Sequence, residues 1–198
     1  MAKIGAIILA AGMSKRMGSP KLLLPLNGHP VIYHPIALAM QQELHPIVVI
    51  TGQYIEEMSK VMKGNKDITF LYNPDYKSGI SSSLKLGIKT LANHVDAAMI
   101  FLGDQPFVHE QVVRSIQTVY ENERENGKWI VRPRYAGQPG HPILFDHHLF
   151  ENFLSLNGDE GGRSIINSHK ECLKLIDFSE QLWGMDIDTS EDYEKVRK

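Results

Sequence analysis

Cysteine is nearly absent: Cys172 stands alone, so no disulfide can form within the chain. Its place in the apolar pattern Cys172-Leu173-Lys174-Leu175-Ile176, away from any second thiol, reads as a buried structural thiol. Long hydrophobic runs are missing too. Stretches such as Ala6 to Ala11 or Ile47 to Ile50 fall far short of the roughly 20 apolar residues that a spanning helix needs, so no membrane partner is expected. The start Met1-Ala2-Lys3-Ile4 enters a strand-like run at once and leaves no room for a signal peptide, which predicts a cytoplasmic protein. Neither sign of charge dominates: 21 Lys plus Arg stand against 23 Asp plus Glu. With no long basic run, nucleic acid is not an expected partner. Nine histidines form no His-Glu-x-x-His pattern, and the neighbours His147 and His148 should diverge on a helix, so a dedicated zinc site is not expected. Also missing are a nucleophile elbow, a Walker A loop and a Gly-x-Gly-x-x-Gly turn, which sets aside acyl hydrolysis and two common nucleotide-binding modes.

What is present reads as one α/β domain over residues 1–198, with 42% hydrophobic and 22% charged residues. Ile4 to Ala10 is a nearly continuous apolar run, as expected of a central parallel strand buried on both faces. Similar runs recur at Ile47 to Ile50, Ile68 to Leu71 and Ala97 to Leu102, with helical patterns around 30–42, 54–63 and 81–92 between them. That alternation predicts a mostly parallel sheet with helices on both faces. The second half shows a helix near 109–125, a strand over Trp129 to Arg132, and a Gly/Pro-rich passage from Pro133 to Pro142 that reads as a functional loop without core residues.

Directly after the first strand comes Leu9-Ala10-Ala11-Gly12-Met13-Ser14-Lys15-Arg16-Met17-Gly18-Ser19-Pro20-Lys21. Small side chains and glycines let backbone N–H groups converge on an anion, and Arg16 and Lys21 add formal charge suited to phosphate oxygens. The crevice beyond the carboxyl ends of parallel strands is also where ligands bind in such sheets. A surface loop with solvated basic residues is the plainer alternative.

Carboxylates complete the pattern. Gly103-Asp104-Gln105-Pro106 ends the fourth apolar strand and puts Asp104 at the same sheet edge, as a metal ligand or as a local turn former. Near the C-terminus, Asp186 and Asp188 flank Ile187: one is expected to face the site, with Asp188 preferred as the metal ligand, and the other is a candidate cap of the terminal helix, where Asp188, Thr189 or Ser190 can each serve as N-cap. Two carboxylates, one cation and a basic loop suit phosphoryl or nucleotidyl transfer, where catalysis is mostly positioning and charge neutralisation. The serines of Ser78-Gly79-Ile80-Ser81-Ser82-Ser83 are helix caps or contacts to a base or ribose. Arg163, in Gly158-Asp159-Glu160-Gly161-Gly162-Arg163, either binds an acceptor phosphate or pairs with an acid, and His141 either touches the acceptor or is fixed locally.

Taken in order, LAAGMSKRMGSPKLLLP, GISSSLKLG, GDQP, GQPGHPILF, GDEGGRSI and DIDTSEDY resemble the molybdenum cofactor cytidylyltransferases and their purine-catabolism relatives, from about Ile4 to Tyr193. The resemblance implies a three-layer α/β/α, Rossmann-like nucleotide-diphospho-sugar transferase fold. It implies Mg2+-dependent transfer of CMP from CTP to the terminal phosphate of molybdopterin, with release of pyrophosphate, in the service of an apo-molybdenum hydroxylase. Motif by motif, Ala10, Ala11 and Gly12 would contact the nucleotide, Arg16 and Lys21 its phosphates, Ser82 the base or ribose, and Asp104 with Asp188 the magnesium. Guanylyl-transferring relatives usually carry Leu-Ala-Gly-Gly where this chain has Leu9-Ala10-Ala11-Gly12, which favours cytidine. Gly162 departs from the alanine more usual in the cytidylyl family. Alternatives are transfer to a sugar or polyol phosphate, and a non-catalytic factor that delivers cofactor to a hydroxylase.

Overall fold

The computed structural model describes residues 1–12 and 20–197. β1 (Ile4–Ala10) runs through the middle of the sheet, with six of its seven residues buried, as its unbroken apolar sequence requires. A short hairpin of β2 (Pro25–Leu26) and β3 (His29–Pro30) follows and leads into α1 (Tyr33–Gln41). β4 (Ile47–Thr51) pairs with β1 in parallel, and after α2 (Ile55–Val61) comes β5 (Ile68–Tyr72), which adds beyond β4. The chain then reverses its direction of travel across the sheet. α3 (Ile80–Leu91) carries it to β6 (Ala97–Leu102), which pairs with the other side of β1.

α4 (Glu110–Glu123) leads to β7 (Ile130–Tyr135), whose hairpin partner is β8 (Gln138–Pro139). β9 (Ile143–Asp146) runs antiparallel between β6 and β7. Helices α5 (Phe150–Leu154) and α6 (Gly162–Ser168) precede the edge strand β10 (Leu173–Phe178), and α7 (Ser190–Val196) follows it. The order across the sheet is β10-β7-β9-β6-β1-β4-β5.

Alternate residues of β1 feed two separate cores, which makes three layers. Ala6 and Ile8 pack with Ile36 of α1, Met58 of α2 and Ile116 of α4. Ile7 faces the other way, with Leu84 and Ile88 of α3 and Phe153 of α5. Each fully buried aliphatic side chain contributes roughly 1.5–3 kcal/mol, so these central positions are where truncation costs most.

Two sequence expectations are corrected. Pro133 to Tyr135 is strand rather than loop: it pairs with Ile176 to Phe178 of β10, and Tyr135 is buried in the first core. Ala136 and Gly137, both at positive φ (47° and 82°), form the two-residue turn that folds Gln138 back onto Tyr135. His147 and His148 do not diverge, because they sit in a 3-10 turn with ring centroids 4.2 Å apart. Both Nδ1 atoms face Oδ1 of the buried Asp146, at 3.0 and 2.6 Å. Cys172 is buried, and that burial pushes its thiol pKa up.

Candidate active site

The point where the chain reverses lies between β1 and β6, and in open sheets of this kind ligands bind in the crevice beyond the strands' carboxyl ends at that point. Gly103 N–H donates to Leu9 O at 2.9 Å and ties the two strand ends together. A Cβ at Gly103 would stand 2.9 Å from both Leu9 O and the Ile32 side chain, so this close approach requires glycine. Asp104 is thereby held at the mouth of the crevice. Ala10 is buried at the end of β1, Ala11 is half-buried, and Gly12 is exposed. Arg16 lies among residues 13–19, outside the described residues.

Lys21 enters from a 3-10 turn, Lys21–Leu23, that is anchored by the buried Leu22. Its Nζ donates to Asp104 Oδ2 at 2.5 Å and to Asp188 Oδ1 at 2.9 Å. Three segments far apart in sequence therefore meet at one ammonium. Asp188 arrives on an extended stretch that is pinned by Ile187, whose N–H donates to Asp104 O at 3.0 Å and whose side chain is fully buried. Alternation along such a stretch puts Asp186 and Asp188 on the same side. Asp186 Oδ1 accepts from Gln105 Nε2 at 2.8 Å.

Of the three candidate N-caps of the terminal helix it is Thr189 that serves, and neither Asp186 nor Asp188 does. Thr189 does so in a capping box: its hydroxyl accepts from Asp192 N–H at 3.1 Å, and Asp192 Oδ2 accepts from Thr189 N–H at 3.0 Å. Both aspartates are thus available to the site.

Charged groups crowd this edge. Burial works against the Lys21 charge, but Asp104 and Asp188 outweigh it and raise its pKa. Asp186 is pushed up to about 6, first by burial and then by the Asp104 charge. Asp104, Asp186 and Asp188 thus gather hard oxygen donors near one ammonium, the donor type that a cation such as magnesium takes.

Ser82 lies at the same sheet edge, at the start of α3. Its hydroxyl accepts from Asn73 Nδ2 at 2.9 Å and has two carbonyls, Asp75 O and Gly79 O, to donate to, each at 2.9 Å. Asn73 Nδ2 also reaches Ser83 at 2.9 Å, so the serines pin the end of β5 to α3. The Ser82 oxygen keeps one acceptor lone pair for a ligand. Gly79 precedes the helix at φ 109°, and a Cβ there would fall 2.1 Å from Gly158 O. Gly79→Ala is therefore expected to cost about 3 kcal/mol or more in chemical denaturation. Wild-type stability in that variant would contradict the packing described.

Asp186 and Asp188 also line a cavity of about 830 Å³, together with Gln105, Arg132 and His141. Gln105 and Arg132 gave no signal in the sequence: a strand arginine and a turn glutamine look ordinary until their neighbours are known. The deep position of His141 and the Arg132 charge hold its pKa down to about 4, against an ordinary 6.5. The unfolded chain then binds the proton more readily than the native one. This contribution to stability is complete above pH 6.5 and is lost as pH falls toward 4, by up to about 1.4 kcal/mol per pH unit. His141→Gln is expected to flatten that part of the stability profile in denaturant titrations, and an unchanged slope would refute it.

The departure at Gly162 has a packing cause. A Cβ there would come 2.9 Å from the Phe145 ring, so glycine accommodates phenylalanine on β9. Arg163 follows it and is exposed.

Residues 6–172 match the model of the MobA-like NTP transferase domain. The molybdenum cofactor cytidylyltransferase of Escherichia coli (strain K12) is 31% identical over 98% of this chain and 95% of its own length. Nicotine blue oxidoreductase of Paenarthrobacter nicotinovorans is 27% identical over 95% of this chain and 93% of its own. Among solved structures, the Mycobacterium sp. strain JC1 homolog of Mycobacterium tuberculosis rv0371c superimposes with a TM-score of 0.82 at 27% identity, covering 98% of this chain and 94% of that one. The fold, the crevice between β1 and β6 and these matches agree: the chain belongs to the MobA-like NTP transferase domain family, and it is a nucleotidyltransferase.

Proposed function

We propose that the protein transfers CMP from CTP to the terminal phosphate of molybdopterin and releases pyrophosphate. The observation that carries this reading is the Lys21 ammonium held between Asp104 and Asp188 at the crevice. The choice of CTP and molybdopterin rests on the cytidylyltransferase relative and on Leu9-Ala10-Ala11-Gly12.

The donor set fits magnesium. Asp104 and Asp188 offer hard carboxylate oxygens on either side of one ammonium, with Asp186 on the same stretch as Asp188. When bound, the metal supplies Lewis-acid stabilisation of charge on the triphosphate. The other roles fall to the chain itself. Ala10, Ala11 and Gly12 leave room for the nucleotide, and Arg16 and Lys21 hold its phosphates. Ser82 offers an acceptor to the base or ribose. As the triphosphate binds, Lys21 exchanges its carboxylate partners for the oxygens of the departing pyrophosphate, so its charge is present where negative charge accumulates. The acceptor phosphate oxygen bonds to the α-phosphorus while the α–β bridging bond breaks, and pyrophosphate leaves with the electron pair. A cytoplasmic apo-molybdenum hydroxylase would receive the product.

The test is pyrophosphate release with molybdopterin and magnesium, comparing CTP, GTP, ATP and UTP. CTP alone should support release. Release with another donor would replace CTP, and release only with a sugar or polyol phosphate would replace molybdopterin. CTP binding without any release would favour the delivery-factor reading. Oxidation of a reduced nicotinamide, followed in parallel, checks for the redox chemistry that the second relative's name describes.

A further inference from the structure

The opposite end of the sheet holds a second group of ligating side chains. Asp146, the last residue of β9, lies across from Ala97, the first residue of β6, whereas Asp104 follows the last, so roughly 20 Å of strand separates Asp146 from the nucleotide crevice. Its carboxylate is buried, with 3% of the residue exposed, and the Tyr120 hydroxyl donates to Oδ2 at 2.5 Å. Oδ1 accepts from His148 N–H at 2.9 Å, and the Nδ1 atoms of His147 and His148 stand 3.0 and 2.6 Å from it. One ligand atom from each of the three side chains lies within 4.8 Å of the other two. The sequence has no zinc pattern here; the 3-10 turn His147–Leu149 makes adjacent histidines converge. Stacking on Trp129, with ring centroids 4.7 Å apart, fixes the His148 ring, and His147 N–H to Asp96 O at 2.9 Å fixes the turn. A cavity of about 370 Å³ opens on this group, and Arg124 and Glu125, which also line it, pair with each other at 3.5 Å. Among the described residues no lysine or arginine forms an ion pair with Asp146, so two imidazoles are what face this buried carboxylate.

We propose that Asp146, His147 and His148 form a site for a borderline transition-metal ion such as Zn2+, separate from the carboxylates of the crevice. One carboxylate oxygen and two imidazole nitrogens make a donor set that zinc takes, whereas magnesium prefers oxygen and water. Zinc–ligand bonds of about 2.0–2.2 Å put tetrahedral ligand atoms about 3.3 Å apart, so each Nδ1 has less than about 1 Å to move away from Oδ1. Exposed rings can make that shift. The Tyr120 hydroxyl supplies the hydrogen bond to the second carboxylate oxygen that orients a ligating carboxylate. Three protein ligands beside an open cavity leave the fourth position to water. Bound there, the ion ties the end of β9 to the turn that leads into α5, a structural role, because the transfer chemistry lies at the other end of the strands.

Zn2+ titrated into chelator-treated protein, with excess magnesium present, tests this by calorimetry and by thermal melts. Co2+ in its place adds a visible absorption band that reports tetrahedral geometry and imidazole ligation. Wild type should bind the ion and melt higher with it. His147→Gln and His148→Gln should each weaken binding by about tenfold or more and remove the Co2+ band. Both side chains are exposed, so these variants keep the fold, and their pyrophosphate release should match wild type. Asp104→Asn should bind Zn2+ within about twofold of wild type, since it stands at the far end of the strand. No Zn2+ binding by wild type, equal affinity and equal Co2+ spectra in wild type and the histidine variants, or a loss confined to Asp104→Asn would each overturn the proposal.

Discussion

Asp104→Asn should reduce pyrophosphate release by about a thousandfold or more and leave the fold intact. The amide keeps the shape of the carboxylate, and the contact that positions the neighbouring segment, Ile187 N–H to Asp104 O, belongs to the backbone. Lys21 retains Asp188, so its ammonium stays anchored. What disappears is the negative charge required to hold a cation against the triphosphate. Initial rates with matched thermal melts check this. A variant with wild-type melting and turnover within about tenfold of normal would remove Asp104 from the machinery.

Lys21→Met should lower turnover by about 10²–10³-fold and also change how the resting protein responds to divalent cations. Without the ammonium, Asp104, Asp186 and Asp188 repel one another in a partly buried setting, at a cost of about 1–3 kcal/mol once solvent screening is allowed for. Magnesium should restore much of that loss, so the melting temperature of the variant should rise with the cation more than that of wild type. Equal responses in the two proteins would mean that Lys21 does not balance these carboxylates.

The inner part of the fold was legible because burial on both faces leaves little choice of residue. Ile4 to Ala10, Ile47 to Thr51 and Ala97 to Leu102 are the three adjacent central strands, and each is an almost wholly apolar run. Periphery was harder to read. Pro133 to Tyr135 looked like a loop because the passage Pro133 to Pro142 holds three prolines and two glycines, which suggest turns, yet the turn falls at Ala136-Gly137, and Tyr135 supplies core area that single-residue polarity does not announce. Lys21, Asp104 and Asp188, singled out by residue type and by position after strands or before a helix, are brought together in the structure. The sharing of tasks between Asp186 and Asp188 was not legible, because it depends on which residue caps α7, and Thr189 and Asp192 take that task together. Asn73 shows the same limit, since its bonds to Ser82 and Ser83 join residues nine and ten positions apart.

The most direct test of the central claim is the fate of the phosphorus atoms of CTP, followed with α-labelled and γ-labelled nucleotide in the presence of molybdopterin and magnesium. The account predicts that the α label moves into the acceptor product and the γ label leaves in pyrophosphate, in equal amounts. Release of the γ label as orthophosphate, or α label found only in free CMP, would contradict it.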